Sequence, residues 1–257
     1  MRKATLMGLV AAALMAISPA HAQTKLTMIP GEVSATATFT TDYVFRGISQ
    51  SDGGPAIQGS FDYAYKFMDP TTFYLGIWGS NVDFDDGEEA TIEIDFTGGF
   101  KGEIAGFTWQ LGGIYYYYPN AEIGPLRLEY DYLEGMVKFG RDFGILSASV
   151  NANYSSDYFG ETGDGLWLAG DVTVPLPMLP LSTALTGHIG RQKIDNNRRF
   201  GTPDYTEWAV GATASASGFN FALQYTDTSL NNSECYAGTG LTKTCDGRVL
   251  FSVSRTF

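Results

Sequence analysis

The chain has 257 residues, of which 44% are hydrophobic, 14% aromatic and 17% charged. A bundle of transmembrane helices would be more apolar, and a disordered chain would lack the 15 Tyr, 17 Phe and 4 Trp. The formal net charge of −12 argues against a nucleic-acid-binding surface. Abundant glycine, many aromatics and few charges are typical of a β-rich secreted or outer-membrane protein.

The N-terminus has the organisation of a cleaved signal peptide. Two basic residues precede an apolar run at 6–17, which is too short to span a bilayer as a helix. An Ala-x-Ala cleavage motif follows at 20–22. We therefore expect residues 1–22 to direct export through the inner membrane and residues 23–257 to form the mature domain.

After residue 23, apolar and polar residues alternate with a period of two, which is the pattern of strands with one apolar face. In 57–67, for example, the odd positions are Ile, Gly, Phe or Tyr and the even positions are polar or small. Most of the predicted strands are long enough to cross a bilayer at a tilt. The twelve predicted strands are 33–45, 56–68, 73–82, 91–102, 107–118, 126–139, 144–154, 165–174, 181–191, 204–216, 219–228 and 247–257.

The connections between these strands alternate between long and short. Long, polar connections rich in Gly, Asn, Asp and Ser alternate with tight turns such as 69–72 and 217–218. Long extracellular loops and short periplasmic turns are characteristic of outer-membrane barrels, and an even strand number closes such a barrel without a free edge. The predicted fold is therefore an all-β, transmembrane, antiparallel up-and-down barrel of twelve strands.

The last strand carries a further indication. Val249, Phe251, Val253 and Phe257 alternate outward and end on an aromatic residue, while Arg255 departs from the apolar pattern. This arrangement resembles the C-terminal signal that the bacterial barrel-assembly machinery recognises. The predicted partners are that machinery during biogenesis, outer-membrane lipid and lipopolysaccharide, and small hydrophilic solutes or ions.

A segment near the N-terminus carries a family resemblance. The sequence TFTTDYVFRGISQS at 38–51, followed by PAIQGSFDY at 55–63, resembles the signature of the TorF family of porins. The similarity covers about residues 33–67. It implies residence in the outer membrane and a porin function, and it brings no catalytic or binding residues with it.

Within this signature, Asp42 and Arg46 share strand parity, and Gly47 permits a tight exit from the strand. One interpretation is a polar latch at the extracellular mouth, with Arg46 paired to Asp42 or Asp62. The other is a site that contacts substrate. The sequence leaves both open.

The alternation of side chains between the two faces of a strand also predicts which charged residues line the lumen. We expect more acidic than basic residues there, and hence a mild cation preference that weakens as salt rises. The predicted pore-lining residues are Asp42, Arg46, Asp62, Lys66, Glu93, Asp95, Arg127, Glu129, Asp131, Asp171 and His188; Lys101, Glu134, Lys138, Glu207 and Arg248 enter the same charge balance.

One strand presents a conflict of register. The outward-facing set Leu126, Leu128, Tyr130 and Tyr132 would continue to Glu134 and place a carboxylate in lipid, which is costly. We therefore expect a β-bulge near Leu133. After the bulge, Gly135, Val137 and Phe139 would face outward, and Glu134 and Lys138 would face the lumen.

The sequence offers little for catalysis or metal binding. His188 is the single histidine after residue 22, and His188-Ile189-Gly190 lacks the His-x-Ser pair that outer-membrane phospholipases share, so a structural role is expected. The acidic segment 83–89 lacks EF-hand spacing and is expected to be a solvated loop. We predict no enzymatic activity, no metal and no cofactor.

The two cysteines, Cys235 and Cys245, lie in one long connection of an exported chain, which favours a disulfide. The predicted function is passive diffusion of small hydrophilic solutes through a narrow pore. The alternative is a closed structural or surface-interaction barrel whose extracellular loops bind a partner or lipopolysaccharide.

Overall fold

A computed structural model describes residues 30–84, 90–119, 121, 129–236 and 243–257. Twelve antiparallel strands form a closed barrel in which each strand pairs with its neighbours in the chain, and the first strand pairs with the last. The barrel strands are β1 (Glu32–Thr40), β4 (Ala56–Met68), β5 (Thr71–Asn81), β6 (Ile92–Ile104), β7 (Phe107–Tyr117), β8 (Tyr132–Asp142), β9 (Ser147–Ser155), β10 (Gly165–Pro175), β11 (Ala184–Ile194), β12 (Tyr205–Ala216), β13 (Phe219–Thr228) and β14 (Arg248–Thr256). The predicted fold class is confirmed.

Three short elements lie outside the barrel wall. Strands β2 (Val44–Phe45) and β3 (Ile48–Ser49) pair only with each other, and α1 (Asn197–Phe200) lies in the connection after β11. No helix among the described residues is long and apolar enough to cross a bilayer.

The two ends of the barrel differ, as the sequence predicts. Tight turns join the strands at one end, which we call the short-turn end, and both termini of the barrel lie there. Two of these turns, Ala105-Gly106 and Ser217-Gly218, have positive φ at both residues, as two-residue hairpins between twisted strands require. At the other end, the long-loop end, the connections are 41–55, 82–91, 118–131, 156–164, 195–204 and 229–247.

The outer surface of the wall is an apolar belt. Because successive side chains of a strand point to opposite faces, the apolar set of each strand is outside and the polar set is inside. Val150 on β9 is 61% exposed and Ile189 on β11 is 59% exposed, and both face outward. A belt of this kind is suited to lipid and unsuited to water.

This register predicts the effect of a charge in the belt. We expect Val150→Arg to lower the free energy of unfolding by about 2–4 kcal/mol in lipid, because the guanidinium would lie in hydrocarbon. Its neighbour Ser149 faces the lumen beside Asp171, so Ser149→Arg is the matched control and should cost less than half as much. Urea unfolding in lipid vesicles, followed by tryptophan fluorescence, measures both. Equal losses for the two variants would contradict the register.

Two predicted boundaries are wrong by about five residues, and the others agree with the structure to within about three. Strand β1 ends at Thr40 and not at residue 45, because the chain then turns into the lumen. Strand β8 begins at Tyr132 and not at residue 126, and residues 122–128 lie outside the described part of the chain.

The predicted bulge near Leu133 is also wrong. The β7–β8 ladder runs unbroken from Tyr116–Tyr132 to Phe107–Arg141. Tyr130 and Tyr132 are buried inside the barrel and do not face lipid, since they pack against other aromatic rings there. Glu134 therefore faces the lumen without any irregularity, and Lys138 lies on the same face.

The lumen has two halves of different character. In the long-loop half, buried aromatic and aliphatic side chains pack into a layer, which we call the aromatic layer, around a small cavity between Ile48, Tyr132 and Tyr205. In the short-turn half, the lumen-facing side chains are mostly small and polar. Some are half-buried, such as Ser34, Ser60 and Ser149, and others, such as Ala184 and Thr186, are buried. The aromatic layer includes Tyr43, Ile48, Ile114, Tyr116, Tyr118, Tyr130, Tyr132, Tyr158, Phe200 and Tyr205.

Candidate functional site

The connection between β1 and β4 folds into the lumen as a small hairpin. Val44 pairs with Ser49 and Phe45 pairs with Ile48, with Arg46 and Gly47 at the turn. Both turn residues have positive φ, 48° and 80°, as a two-residue hairpin turn requires. A Cβ atom on Gly47 would lie 2.6 Å from Thr228 Cγ2 and 2.7 Å from Glu207 Cβ, so only glycine fits at this position. We call residues 44–49 the inner hairpin.

Arg46, at the tip of the inner hairpin, binds the opposite wall of the barrel. Its Nη2 donates to Glu134 Oε2 on β8 at 2.6 Å, and its Nη1 donates to Gln192 Oε1 on β11 at 2.8 Å. The guanidinium carbon also lies 4.7 Å from the ring centre of Trp167 on β10. The hairpin leaves the wall between β1 and β4, so it crosses the lumen.

The carboxylate of Glu134 is held by three donors at one oxygen. Besides Arg46, Tyr116 Oη donates to Oε2 at 3.2 Å and Asn153 Nδ2 donates to it at 2.8 Å. The side chains of Arg46 and Glu134 are only 3% and 1% exposed. A buried ion pair with several further hydrogen bonds is the kind that is costly to break by removing one partner.

The base of the inner hairpin is fixed by Asp42. Its Oδ1 accepts hydrogen bonds from Ser49 Oγ at 2.7 Å and Ser51 Oγ at 2.9 Å, and Arg248 on β14 forms a salt bridge with its Oδ2. The predicted pairing of Arg46 with Asp42 or Asp62 is therefore wrong, because the hairpin carries Arg46 away from both. Asp62 instead accepts from Ser60 Oγ at 2.9 Å.

A disulfide supports the same base. Cys235 and Cys245 are joined, with their Cα atoms 5.9 Å apart, and both are buried. The adjacent Thr244 carbonyl accepts the backbone N–H of Ser49 at 2.8 Å. The predicted disulfide is present, and it braces the loop against which the inner hairpin rests.

Two acidic residues, Glu93 and Asp95, lie together on the lumen face of β6. Both are buried, and neither forms a salt bridge with a described residue. Tyr43 Oη donates to Glu93 Oε1 at 3.2 Å. Burial, reinforced by the charges of these two carboxylates, raises the pKa of Tyr43, so the phenol stays a hydrogen-bond donor.

His188 lies between two carboxylates on the neighbouring strands. Its Nδ1 is 2.6 Å from Asp171 Oδ1 on β10, and its Nε2 is 2.8 Å from Glu207 Oε1 on β12. Only a ring that carries both N–H groups donates to both oxygens. Trp167 Nε1 also donates to Glu207 Oε1 at 3.1 Å. His188 thus joins three strands of the wall, and no hydroxyl nucleophile is hydrogen-bonded to it among the described residues.

Four of the predicted pore-lining residues lie elsewhere or outside the described chain. Lys66 is exposed at the short-turn end and pairs with Asp69 at 2.6 Å, not with Asp62. Glu129 is exposed in the connection before β8. Asp131 accepts from Tyr115, which faces outward. Arg127, together with residues 85–89 of the acidic segment, lies outside the described residues.

The sequence analysis missed two members of this site, Gln192 and Trp167. Strand parity places both on the lumen face, but nothing in the pattern connects them with Arg46. Within the described residues, no group of three or more His, Cys, Asp or Glu side chains is arranged to hold a metal ion.

Comparison with known proteins adds a family. A model of bacterial proteins of unknown function, Gcw_chp, matches residues 25–257. The chain belongs to this family. The match is not to a model of the TorF family, so that resemblance is not confirmed. A search of curated proteins finds no match.

Two solved porin structures are similar to this chain in shape. The NanC porin is similar with a TM-score of 0.51 and 10% identity over 88% of this chain and 98% of that one. The KdgM porin, solved in complex with disordered oligogalacturonate, gives a TM-score of 0.51 and 8% identity over 87% and 99%. At this identity the similarity establishes the barrel fold.

Proposed function

We propose that this protein is an outer-membrane channel for small hydrophilic solutes, and that the inner hairpin controls passage through it. The observation that carries the proposal is the character of the short-turn half of the lumen. Small polar side chains, several of them half-buried, line most of it as far as the aromatic layer. Barrels of about eight strands are filled by side chains, and wider barrels leave an aqueous channel, so twelve strands leave room for a narrow one.

The placement in the membrane follows from the same barrel. We infer that residues 1–22 are a signal peptide, that the apolar belt lies in the outer membrane and that the long-loop end faces the exterior. The porin-shaped relatives support this placement, as does the resemblance of residues 33–67 to the TorF signature. Assembly by the barrel-assembly machinery is part of the same proposal.

The aromatic layer and the inner hairpin together obstruct the lumen. Tyr43, Ile48 and Tyr116 are each no more than 3% exposed, so these side chains fill most of the lumen at this level. Solute passage therefore requires the inner hairpin to leave its seat against β8 and β11. The seat is polar, through Arg46, Glu134 and Gln192, so displacement exposes groups that water solvates well.

The charges of the lumen favour cations. Among the described lumen-facing residues, the acidic side chains outnumber the basic ones, so we propose a mild cation preference. The acidic residues are Asp42, Asp62, Glu93, Asp95, Glu134, Asp171 and Glu207, and the basic ones are Arg46, Lys101, Lys138, Arg248 and the doubly protonated His188.

Planar-bilayer recording tests the proposal. We expect the natural chain to conduct weakly, and a variant with residues 43–50 replaced by a Gly-Ser linker to conduct several times more, with a reversal potential on the cation side. Lys66→Gln, at the exposed rim, is the matched control and should conduct as the natural chain does. Clear anion selectivity would contradict the charge assignment.

A second candidate function is a closed barrel whose loops interact with a partner at the cell surface. The close packing of the aromatic layer favours it. The same recording decides between the two, because a linker variant that conducts no better than the natural chain would support the closed barrel and overturn the channel.

A further inference from the structure

The outer surface of the described chain carries a concentrated group of cations at the long-loop end. Residues 191–199 contain four of the sixteen basic residues of a chain whose net charge is −12. They are Arg191, Lys193, Arg198 and Arg199, and all four are exposed, at the end of β11 and in the connection that contains α1. We call these four residues the basic patch.

Two members of the basic patch lie on the outer face of the wall. Gln192 and Ile194 point inward and are buried, so Arg191 and Lys193 point outward. Ile189, the preceding outward residue of β11, is part of the apolar belt, and Leu168 lies opposite Arg191 on β10. The basic patch therefore begins where the apolar belt ends, at the long-loop end.

Most of these cations form no salt bridge within the described part of the chain. Arg199 pairs with Glu161, and Arg191 Nη1 donates to the neutral Thr206 Oγ1 at 3.2 Å. Arg191, Lys193 and Arg198 form no salt bridge with a described residue. Exposed cations beside an apolar surface are thus left for a ligand.

Strands farther around the barrel have a different outer rim at this level. Asp131 accepts a hydrogen bond from Tyr115 Oη at 3.0 Å, and Asp227 accepts one from Tyr225 Oη at 2.8 Å. Aromatic rings with acidic partners form an ordinary interfacial girdle. Of the barrel strands described, β11 is the one that presents cations on the outer face at this end.

We propose that the basic patch binds the phosphate groups of lipopolysaccharide in the outer leaflet, with Arg191 and Lys193 as its central contacts. The inference rests on the proposed membrane placement. Acyl chains would lie against Ile189 and Leu168 while the phosphates reach the cations above them. Guanidinium groups bind phosphate oxygens in pairs and ammonium groups bind them as point charges. Arg191 and Lys193 are about 7 Å apart along the strand, so together they suit two phosphates or one large headgroup.

Binding of fluorescent lipopolysaccharide to the purified chain in detergent tests the proposal. We expect the double variant Arg191→Gln/Lys193→Gln to raise the Kd about 30-fold, since each cation near an anionic lipid surface contributes about fivefold. The natural chain should bind dephosphorylated lipopolysaccharide weakly. Its Kd for that ligand should be at least as high as the Kd of the double variant for intact lipopolysaccharide. The Kd should also rise with salt.

The matched control removes two outward-facing cations at the opposite end. Arg141, stacked 4.6 Å from the Phe107 ring centre, and Arg255, 5.0 Å from that of Phe219, lie on the outer face at the short-turn end. Arg141→Gln/Arg255→Gln should bind as the natural chain does. Cold-gel mobility that shifts on heating verifies that both double variants are folded.

Two results would overturn the proposal: a Kd for Arg191→Gln/Lys193→Gln within twofold of the natural value, or an equal loss in the Arg141→Gln/Arg255→Gln control. Binding in detergent does not depend on conductance, so failure of the channel hypothesis leaves this measurement decisive. Separation of the inner and outer membranes on a density gradient tests the placement itself.

Discussion

Arg46→Met is expected to lower the free energy of unfolding by about 3–5 kcal/mol, because it leaves the buried carboxylate of Glu134 without a cation. Tyr116 and Asn153 still donate to Glu134 Oε2, at 3.2 Å and 2.8 Å, so the loss should fall near the lower end of that range. Urea unfolding in detergent, followed by tryptophan fluorescence, gives the value. Trp167 lies against Arg46 and reports the change directly.

The double variant Arg46→Met/Glu134→Gln separates lost packing from unpaired charge. Glutamine keeps the size of Glu134 and removes its charge, so the double variant should recover more than half of the loss. Arg46→Lys is the conservative control and keeps the charge without the two-pronged contact to Glu134 and Gln192. An Arg46→Met chain within 1 kcal/mol of the natural one would show that the inner hairpin does not depend on this ion pair.

His188→Leu should have the next largest effect. It leaves Asp171 and Glu207 facing an apolar side chain in place of a ring that donates to both, and we expect a loss of about 3 kcal/mol. Thr186→Val, two residues earlier on the same lumen face of β11, is the matched control and should cost less than 1 kcal/mol. The same unfolding experiment measures both variants.

Trp167 gives His188→Leu a second readout. The indole stacks near His188, with ring centres 5.9 Å apart, and donates to Glu207. The emission of the folded variant should therefore shift in wavelength, while that of Thr186→Val stays unchanged. A His188→Leu chain with natural stability and natural emission would refute the role of His188 as a link between β10, β11 and β12.

The barrel itself follows from local pattern. A period of two, repeated in the strands between residues 33 and 257, assigns one face of a strand to lipid and the other to the lumen, and the alternation of long and short connections assigns the two ends. Twelve strands were predicted and twelve close the barrel. The inward face of Asp62, Glu93, Asp95, Asp171 and His188 follows from parity alone, because pleating leaves no other choice.

The wrong predictions concern segments in which periodicity does not determine the structure. Residues 41–45 and 126–131 continue the alternation of the strands beside them, so the pattern predicts strand for both segments. In fact 41–45 turns inward, and Tyr130 packs against Phe159 inside the barrel. An aromatic side chain is equally satisfied by lipid or by other rings, so the sequence does not distinguish an outward-facing tyrosine from one in the aromatic layer.

The sequence by itself determined the fold class, the two faces of most strands and the pairing of Cys235 with Cys245, because each depends on alternation or on the only two cysteines available. Only the tertiary structure decided that Arg46 crosses the lumen to Glu134 and Gln192, 88 and 146 residues away in the chain. Closure of the barrel brings these strands opposite the first loop. Which residues Arg46 contacts across the lumen depends on the positions of the strands in the closed barrel. Local periodicity contains no information about these positions.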